Sequence, residues 1–498
     1  MGPRGGDVTL TDDDLQPLVE RWLPNQRWYA GKGRGMSDVS LRLLTALTET
    51  VPEVGIWLVT VTYADGQMDT YQLPLVGRTE PAGSLEHVLL GTIQTPDGTR
   101  WIYDALHDRD VTGVFIDGVR KDAAPGPVYF QRYVDASDLP VDLLSLVLTG
   151  EQSNTSLVYG DQAILKVFRR LEPGINPDIE IHQALSELGA KHIARLLGSM
   201  TADLPDDGRG TLAPVSLAML QEFMSTASNG WDLAKTSVRD LMAEADLHAA
   251  EAGGDFAAEA ERLGAATAVV HTDLAVAFGT DVMPGDQLRE RAAAMHAHLD
   301  AALAEVPLLA PVEPGLRAAF DAVDSLADTA EPVPTQRIHG DLHLGQALRT
   351  SRRWILLDFE GEPIASLAGR RSFDSPLRDV AGMLRSFDYA SRYQTVDTPD
   401  PQLSYRANEW AERNRDAYCA GYADVSGSDP RVHDVLLRGF EADKAVYEAV
   451  YETRNRPTWV RIPLASLTRL AEPTGTSYRA SDDRAAADTG PVREEGAS

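Results

Sequence analysis

The repeat of the apolar pattern changes once along this chain, near Met224, and that change limits the fold more than any other feature. Before it, VGIWLVTVTYADGQMDTYQLPLV alternates apolar and polar residues around Asp65-Gly66, GTIQTPDGTRWIYDAL around Asp97-Gly98, and SLVYGDQAILKVF around Gly160-Asp161. Alternation about such a pair predicts a β-hairpin, because successive strand side chains point to opposite faces and a tight turn needs positive φ. After Met224, SVRDLMAEADLHAAEAGGDFAAEAERLGAATAVVHTDLAVAF and LRERAAAMHAHLDAAL are Ala-rich and space their apolar residues at a helical interval. The expected class is α+β, strands first and helices afterwards.

The chain has 498 residues, room for several cores. The pattern divides it into a strand-rich N-terminal subdomain over 1–90, a second strand-rich lobe over 91–220, and a mainly helical lobe over 221–472. A tail over 473–498 is almost free of large apolar residues and is expected to be disordered. With 75 acidic against 46 basic residues the formal charge is −29, which disfavours nucleic acid and anionic membrane as partners. No apolar run approaches the ~20 residues of a membrane span, and the N-terminus shows no signal peptide, so a cytoplasmic protein is expected. A single cysteine, Cys419, excludes an internal disulfide and a cysteine zinc site.

HGDLHLGQ, His339 to Gln346, carries two glycines and reads as a loop rather than a strand. Downstream, the apolar run Trp354 to Leu357 reads as a buried strand that delivers Asp358 at its end. Two carboxylates, Asp341 and Asp358, with the Gln346 amide between them, suit phosphoryl transfer. One carboxylate stands near an acceptor hydroxyl, and a carboxylate plus an amide oxygen hold Mg²⁺. A zinc site built on His339 and His343 lacks a third histidine at ligand spacing.

HGDLHLGQ followed by LLDFEGEP resembles the catalytic loop and metal-binding strand of the protein-kinase-like superfamily, in its aminoglycoside-phosphotransferase branch. Gln346 stands where most relatives have Asn, and Glu360 where protein kinases have Gly. The resemblance implies a bilobal fold, ATP and Mg²⁺ as cofactors, Asp341 as catalytic base, and Gln346 and Asp358 as metal ligands. It also implies an upstream lysine on a strand and an acid on the following helix. Lys166 in AILKVF and Glu180 in NPDIEIHQALSELG fit those places; Asn176, Pro177 and Gly189 mark the ends of that helix, and Ile181, Leu185 and Leu188 form its apolar stripe. No glycine-rich loop precedes Lys166, and Ser153, Asn154, Thr155 and Ser156 stand there instead as candidate phosphate contacts. LAMLQEFM, with Glu222 and Met224, falls at the nucleotide hinge. Asp379 begins an apolar-striped helix, either as a brace for the catalytic loop or as an ordinary first-turn acid.

NQRWYAGKGR and KAVYEAVYETRNRPTWVRIPL are similar to segments of the bacterial maltokinases, in which a cap subdomain precedes the kinase-like lobes. That resemblance implies ATP-dependent phosphorylation of maltose at its anomeric hydroxyl, serving α-glucan synthesis, and a trehalose synthase as partner. His339, Tyr447, Glu448, Tyr451, Glu452, Arg454 and Trp459 are the candidates for the substrate side. On periodicity alone Tyr447 to Glu452 also fits an amphipathic helix with tyrosines inside and glutamates in water. The alternatives are a kinase for another small sugar, such as glucosamine or an aminoglycoside, and a nucleotide-binding scaffold without activity.

Overall fold

The computed structural model describes residues 10–473, apart from 49, 149–152, 206–211, 244–246, 252–253, 330–331, 363–364 and 397–399. The expected tail therefore lies outside the described residues. The chain forms two compact units, one of residues 1–226 with 365–369, the other of 227–364 with 370–498.

The first unit opens with the helix Asp12–Trp22, capped by the Thr11 side chain on the Asp14 N–H. Two antiparallel sheets follow. In the first, Met36–Ala46, Glu53–Tyr63, Met68–Arg78, Gly98–Asp104 and Leu89–Thr95 lie side by side in that order. All three expected hairpins form, and Gly66, Gly98 and Gly160 adopt the positive φ their turns require. This sheet continues to Asp104, past the boundary expected at residue 90.

The second sheet runs Val128–Arg132, Leu196–Pro205, Leu212–Glu222, Ala163–Phe168, Asn154–Tyr159 and Ser145–Val147. The two sheets share a core, in which Leu44, Ile56 and Leu58 of the first pack with Phe130, Leu165 and Leu217 of the second. A polar seam joins them too. Arg170–Leu171 pairs with Met68–Arg78, the Gln72 amide donates to the Phe168 carbonyl at 2.7 Å, and fully buried Arg169 meets Asp104 at 2.5 Å. An arginine taken wholly from water needs such a partner.

The second unit is helical, as the Ala-rich pattern predicts, with Ala257–Phe278, Gly285–Glu305, Leu377–Arg392, Pro401–Ser426 and Asp434–Asn455 its long elements. Small residues permit its closest packing: a Cβ on Gly264 would stand 2.0 Å from the Tyr418 carbonyl oxygen, and one on Gly421 1.9 Å from that of Glu261. Among the described residues no helix is long and apolar enough to cross a membrane.

Candidate functional site

In the first unit Lys166 lies on the central strand Ala163–Phe168, opposite Ser156 on one neighbour and Met219 on the other. Its ammonium reaches Asp178 at 3.4 Å. Asp178 sits in the first turn of the helix Pro177–Glu187, two residues before the expected partner Glu180, and is buried beside His182 at 3.0 Å. The capping proline and asparagine and the stop at Gly189 form as the sequence predicts. The buried stripe differs: Ile179, Ile181 and Leu185 point inward, whereas Leu188, at the end of the helix, is 46% exposed.

Among the candidate phosphate contacts, Ser153 is exposed and Asn154 half-buried, while Thr155 and Ser156 are buried in the strand. Thr155 accepts from the Arg169 guanidinium at 2.8 Å, which gives it a structural task. Glu222 ends its strand with its N–H on the Arg195 carbonyl, and Met224 follows, half-buried.

In the second unit HGDLHLGQ is a loop, with Gly340 at φ 86° and a Cβ there only 3.1 Å from the Gly361 Cα. The strand Trp354–Leu356 pairs antiparallel with Ala347–Arg349 and is almost wholly buried. It delivers Asp358 at φ 65°, a costly backbone for a non-glycine residue and of a kind that gathers at functional sites. The Gln346 amide nitrogen donates to Asp358 Oδ2 at 2.8 Å, which brings the two residues together. A carboxylate beside an amide oxygen is a hard, all-oxygen donor pair of the kind Mg²⁺ takes, so these residues fit the expected ion.

The helix Leu377–Arg392 explains why the loop holds its shape. Three residues on one face of it receive the loop backbone. Asp379 accepts the His339 N–H at 2.7 Å and the Gly340 N–H at 2.8 Å; Gly382 admits the Leu342 carbonyl, which a Cβ would meet at 2.6 Å; Ser386 accepts the Leu344 N–H at 3.0 Å. Asp379 is thus a brace. Burial pushes its carboxyl up, but the hydrogen bond from His271 at 2.9 Å and the loop N–H groups outweigh burial and hold it below the ordinary carboxylate range.

His339 was grouped with the substrate side, and its place corrects that. It is 2% exposed, one ring nitrogen lies 2.8 Å from the Leu357 carbonyl, and the other accepts the Asp341 N–H at 3.3 Å. One nitrogen ties the loop to the segment that leads to Asp358, and the other holds the loop to itself.

Asp341 itself is half-buried, and Lys444, a residue the sequence did not single out, donates to its Oδ1 at 2.9 Å. Lys444 also reaches Glu362 at 3.4 Å. Burial would raise the Asp341 carboxyl; Lys444 and the neighbouring imidazoles of His343 and His339 overcome that and lower it. Asp341 is therefore a carboxylate at neutral pH, an oriented acceptor with modest basicity.

Lys444 belongs to the helix Asp434–Asn455, and the C-terminal candidates sort themselves on it. Tyr447 and Tyr451 are 54% and 44% exposed and lie face to face, centroids 6.4 Å apart and planes at 27°. Glu448 and Glu452 point inward. Glu448 pairs with Arg385 at 2.6 Å, and Glu452, 1% exposed, with Arg456 at 2.6 Å and the Tyr389 hydroxyl at 3.2 Å. This reverses the ordinary amphipathic arrangement and gives both glutamates partners that hold the helix in place. Arg454 is a surface residue held by Glu305 at 2.6 Å, and Trp459 lies under the Arg456 guanidinium at 4.4 Å.

Residues 22–108 match the family described as the maltokinase N-terminal cap domain. A glucosamine kinase of Streptacidiphilus jiangxiensis is 32% identical over 411 residues, 76% of this chain and 88% of that protein. One from Mycolicibacterium smegmatis is 26% identical across 66% of this chain and 80% of that protein. A solved glucosamine kinase structure superimposes with a TM-score of 0.67 at 25% identity, covering 91% of this chain and 99% of the other.

Proposed function

Since the chain belongs to the family of the glucosamine kinases, kinase-like sugar phosphotransferases, and carries a maltokinase-type cap, we propose that it transfers the terminal phosphate of ATP to the anomeric hydroxyl of maltose. The observation that carries the choice of acceptor is the outward face of the helix Asp434–Asn455. Lys444, which holds Asp341, is followed on that face by the stacked, exposed Tyr447 and Tyr451. Flat aromatic surface suits the C–H faces of uncharged sugar rings, and two adjacent rings give room for a second glucose beyond the reacting one.

In this reading Lys444 fixes Oδ1 of Asp341 and Oδ2 accepts the hydrogen bond from the sugar 1-hydroxyl. As the hydroxyl oxygen bonds to the terminal phosphorus and the bond to ADP breaks, the proton passes to Oδ2. A carboxylate of lowered basicity serves because a loose phosphoryl transition state calls for orientation more than for early deprotonation. Lys166, set by Asp178, holds nucleotide phosphates. Mg²⁺ held by Gln346 and Asp358 would neutralise phosphate charge. A trehalose synthase, as a source of maltose, is the proposed partner.

Phosphorylation of glucosamine is the second reading, favoured by the activity named for both relatives. Offering maltose, glucose, glucosamine and kanamycin with ATP and Mg²⁺ separates the two. Maltose phosphorylation with loss of the reducing end is expected. Transfer to glucosamine with maltose inert would replace the first reading by the second, and nucleotide binding without transfer to any sugar would favour a scaffold.

A further inference from the structure

The acceptor side of the loop carries an unusual balance of charge. Asp341 and Glu362 are joined through one ammonium, and each has a cation beside it. Lys444 lies 2.9 Å from Asp341 and 3.4 Å from Glu362, and the Arg378 guanidinium holds the other oxygen of Glu362 at 3.0 Å. The ammonium is well kept. Burial would weaken its charge, but Asp341 and Glu362 outweigh burial and raise the pKa of Lys444 above the ordinary lysine range, so it remains protonated wherever the protein is folded. The other groups facing it are the half-buried His343 imidazole, whose pKa is lowered by desolvation, the Tyr447 phenol, and Glu448, which is engaged by Arg385.

We infer that Lys444 is a specificity-determining residue that makes the acceptor site reject cationic sugars at the anomeric position. The inference rests on the maltose reading above, falls with it if glucosamine is phosphorylated while maltose is inert, and adds the residue that selects among sugars. When the 1-hydroxyl of a hexose lies against Asp341, a substituent at carbon 2 is one carbon away. In glucose it is a hydroxyl, which the ammonium of Lys444 can serve as donor. In glucosamine it is a second ammonium, brought up to a carboxylate whose cation is already in place. Like charges at such a range oppose binding, and both Asp341 and Glu362 already face a cation that offsets their pull on the newcomer.

The test compares glucose and glucosamine as competitive inhibitors of maltose phosphorylation by the full chain, for the wild type, Lys444→Met and Lys444→Arg. Lys444→Met is expected to lower turnover, because Asp341 loses its clamp, and to improve glucosamine relative to glucose by roughly 10- to 100-fold, the worth of one charged contact. That gain should appear where the sugar amine is protonated and vanish at a pH where the amine is neutral. A purely structural role for Lys444 would not produce that dependence. Lys444→Arg should keep the wild-type ratio. If Lys444→Met has too little turnover for inhibition kinetics, calorimetric binding of the two sugars reads the same ratio. An unchanged ratio, or a gain equally large when the amine is neutral, overturns the inference while leaving the kinase reading intact. Wild-type protein that phosphorylates no sugar overturns both.

Discussion

Replacing Asp379 by asparagine changes one oxygen to an amide nitrogen at the point where the loop from His339 to Gln346 is tied down. The native carboxylate accepts three hydrogen bonds, from the His339 N–H at 2.7 Å, the Gly340 N–H at 2.8 Å and the His271 ring at 2.9 Å, and is itself 1% exposed. An asparagine offers a single acceptor atom. Whichever way it turns, its NH₂ faces a donor, so one loop N–H and the new amide lose their partners in a dry site. At about 1–3 kcal/mol for each buried unsatisfied group, the loss is roughly 2–6 kcal/mol, measurable as a shift in the urea midpoint. The loop that loses its tie carries Asp341, and a displacement of about 1 Å costs on the order of 10²-fold in turnover. Lys166, the residue proposed to hold the nucleotide phosphates, is positioned by other elements, so the KM for ATP should stay near its wild-type value. Because the native carboxyl is held below its ordinary value, its contribution is complete above about pH 3.9 and is lost as the pH falls through the lower folded-state value. Wild-type stability should therefore fall more steeply than that of Asp379→Asn below about pH 4. A variant with the wild-type midpoint and turnover would refute the bracing role.

The Arg385 guanidinium is 1% exposed and joins Asp388 and Glu448, so Arg385→Met should cost about 3–5 kcal/mol by stranding buried carboxylates, read by denaturant unfolding. Tyr447→Ala and Tyr451→Ala should each raise the KM for maltose by roughly 2- to 10-fold with the KM for ATP unchanged; an effect on ATP alone would remove these rings from the acceptor site. Glu448→Gln should act on stability rather than on acceptor KM, in keeping with its pairing to Arg385. Excess chelator should abolish transfer and added Mg²⁺ restore it, whereas Asp358→Ala should respond to neither; activity in excess chelator would exclude the metal role.

The sequence makes local features legible and leaves long-range pairings hidden. Hairpins at Asp65-Gly66, Asp97-Gly98 and Gly160-Asp161 form because turn chemistry and strand alternation are encoded within a few residues. The loop at Asp341 and the buried strand before Asp358 were readable for the same reason. Lys444 was not, since it meets Asp341 across 103 residues and looks in its own segment like any helical lysine. Asp178, which reaches Lys166 at 3.4 Å, shares the first turn of its helix with Glu180, and spacing along the sequence does not single it out. The helix Asp434–Asn455 shows the limit most clearly. Tyrosines and glutamates recur there at the same helical interval, so periodicity defines two faces without saying which is buried. Arg385 and Tyr389, 63 residues upstream of Glu448 and Glu452 respectively, meet the glutamates on the inward face and leave the rings outside.

Asp341→Asn tests the central claim most directly. The amide keeps the size of the side chain and a hydrogen-bond acceptor near Lys444, but it cannot take the proton of the sugar hydroxyl. With maltose, ATP and Mg²⁺ the variant should bind nucleotide like the wild type and lose turnover by about 10²–10⁴-fold, the usual worth of a positioned acid–base group. Near-normal phosphorylation of maltose by Asp341→Asn would contradict the account.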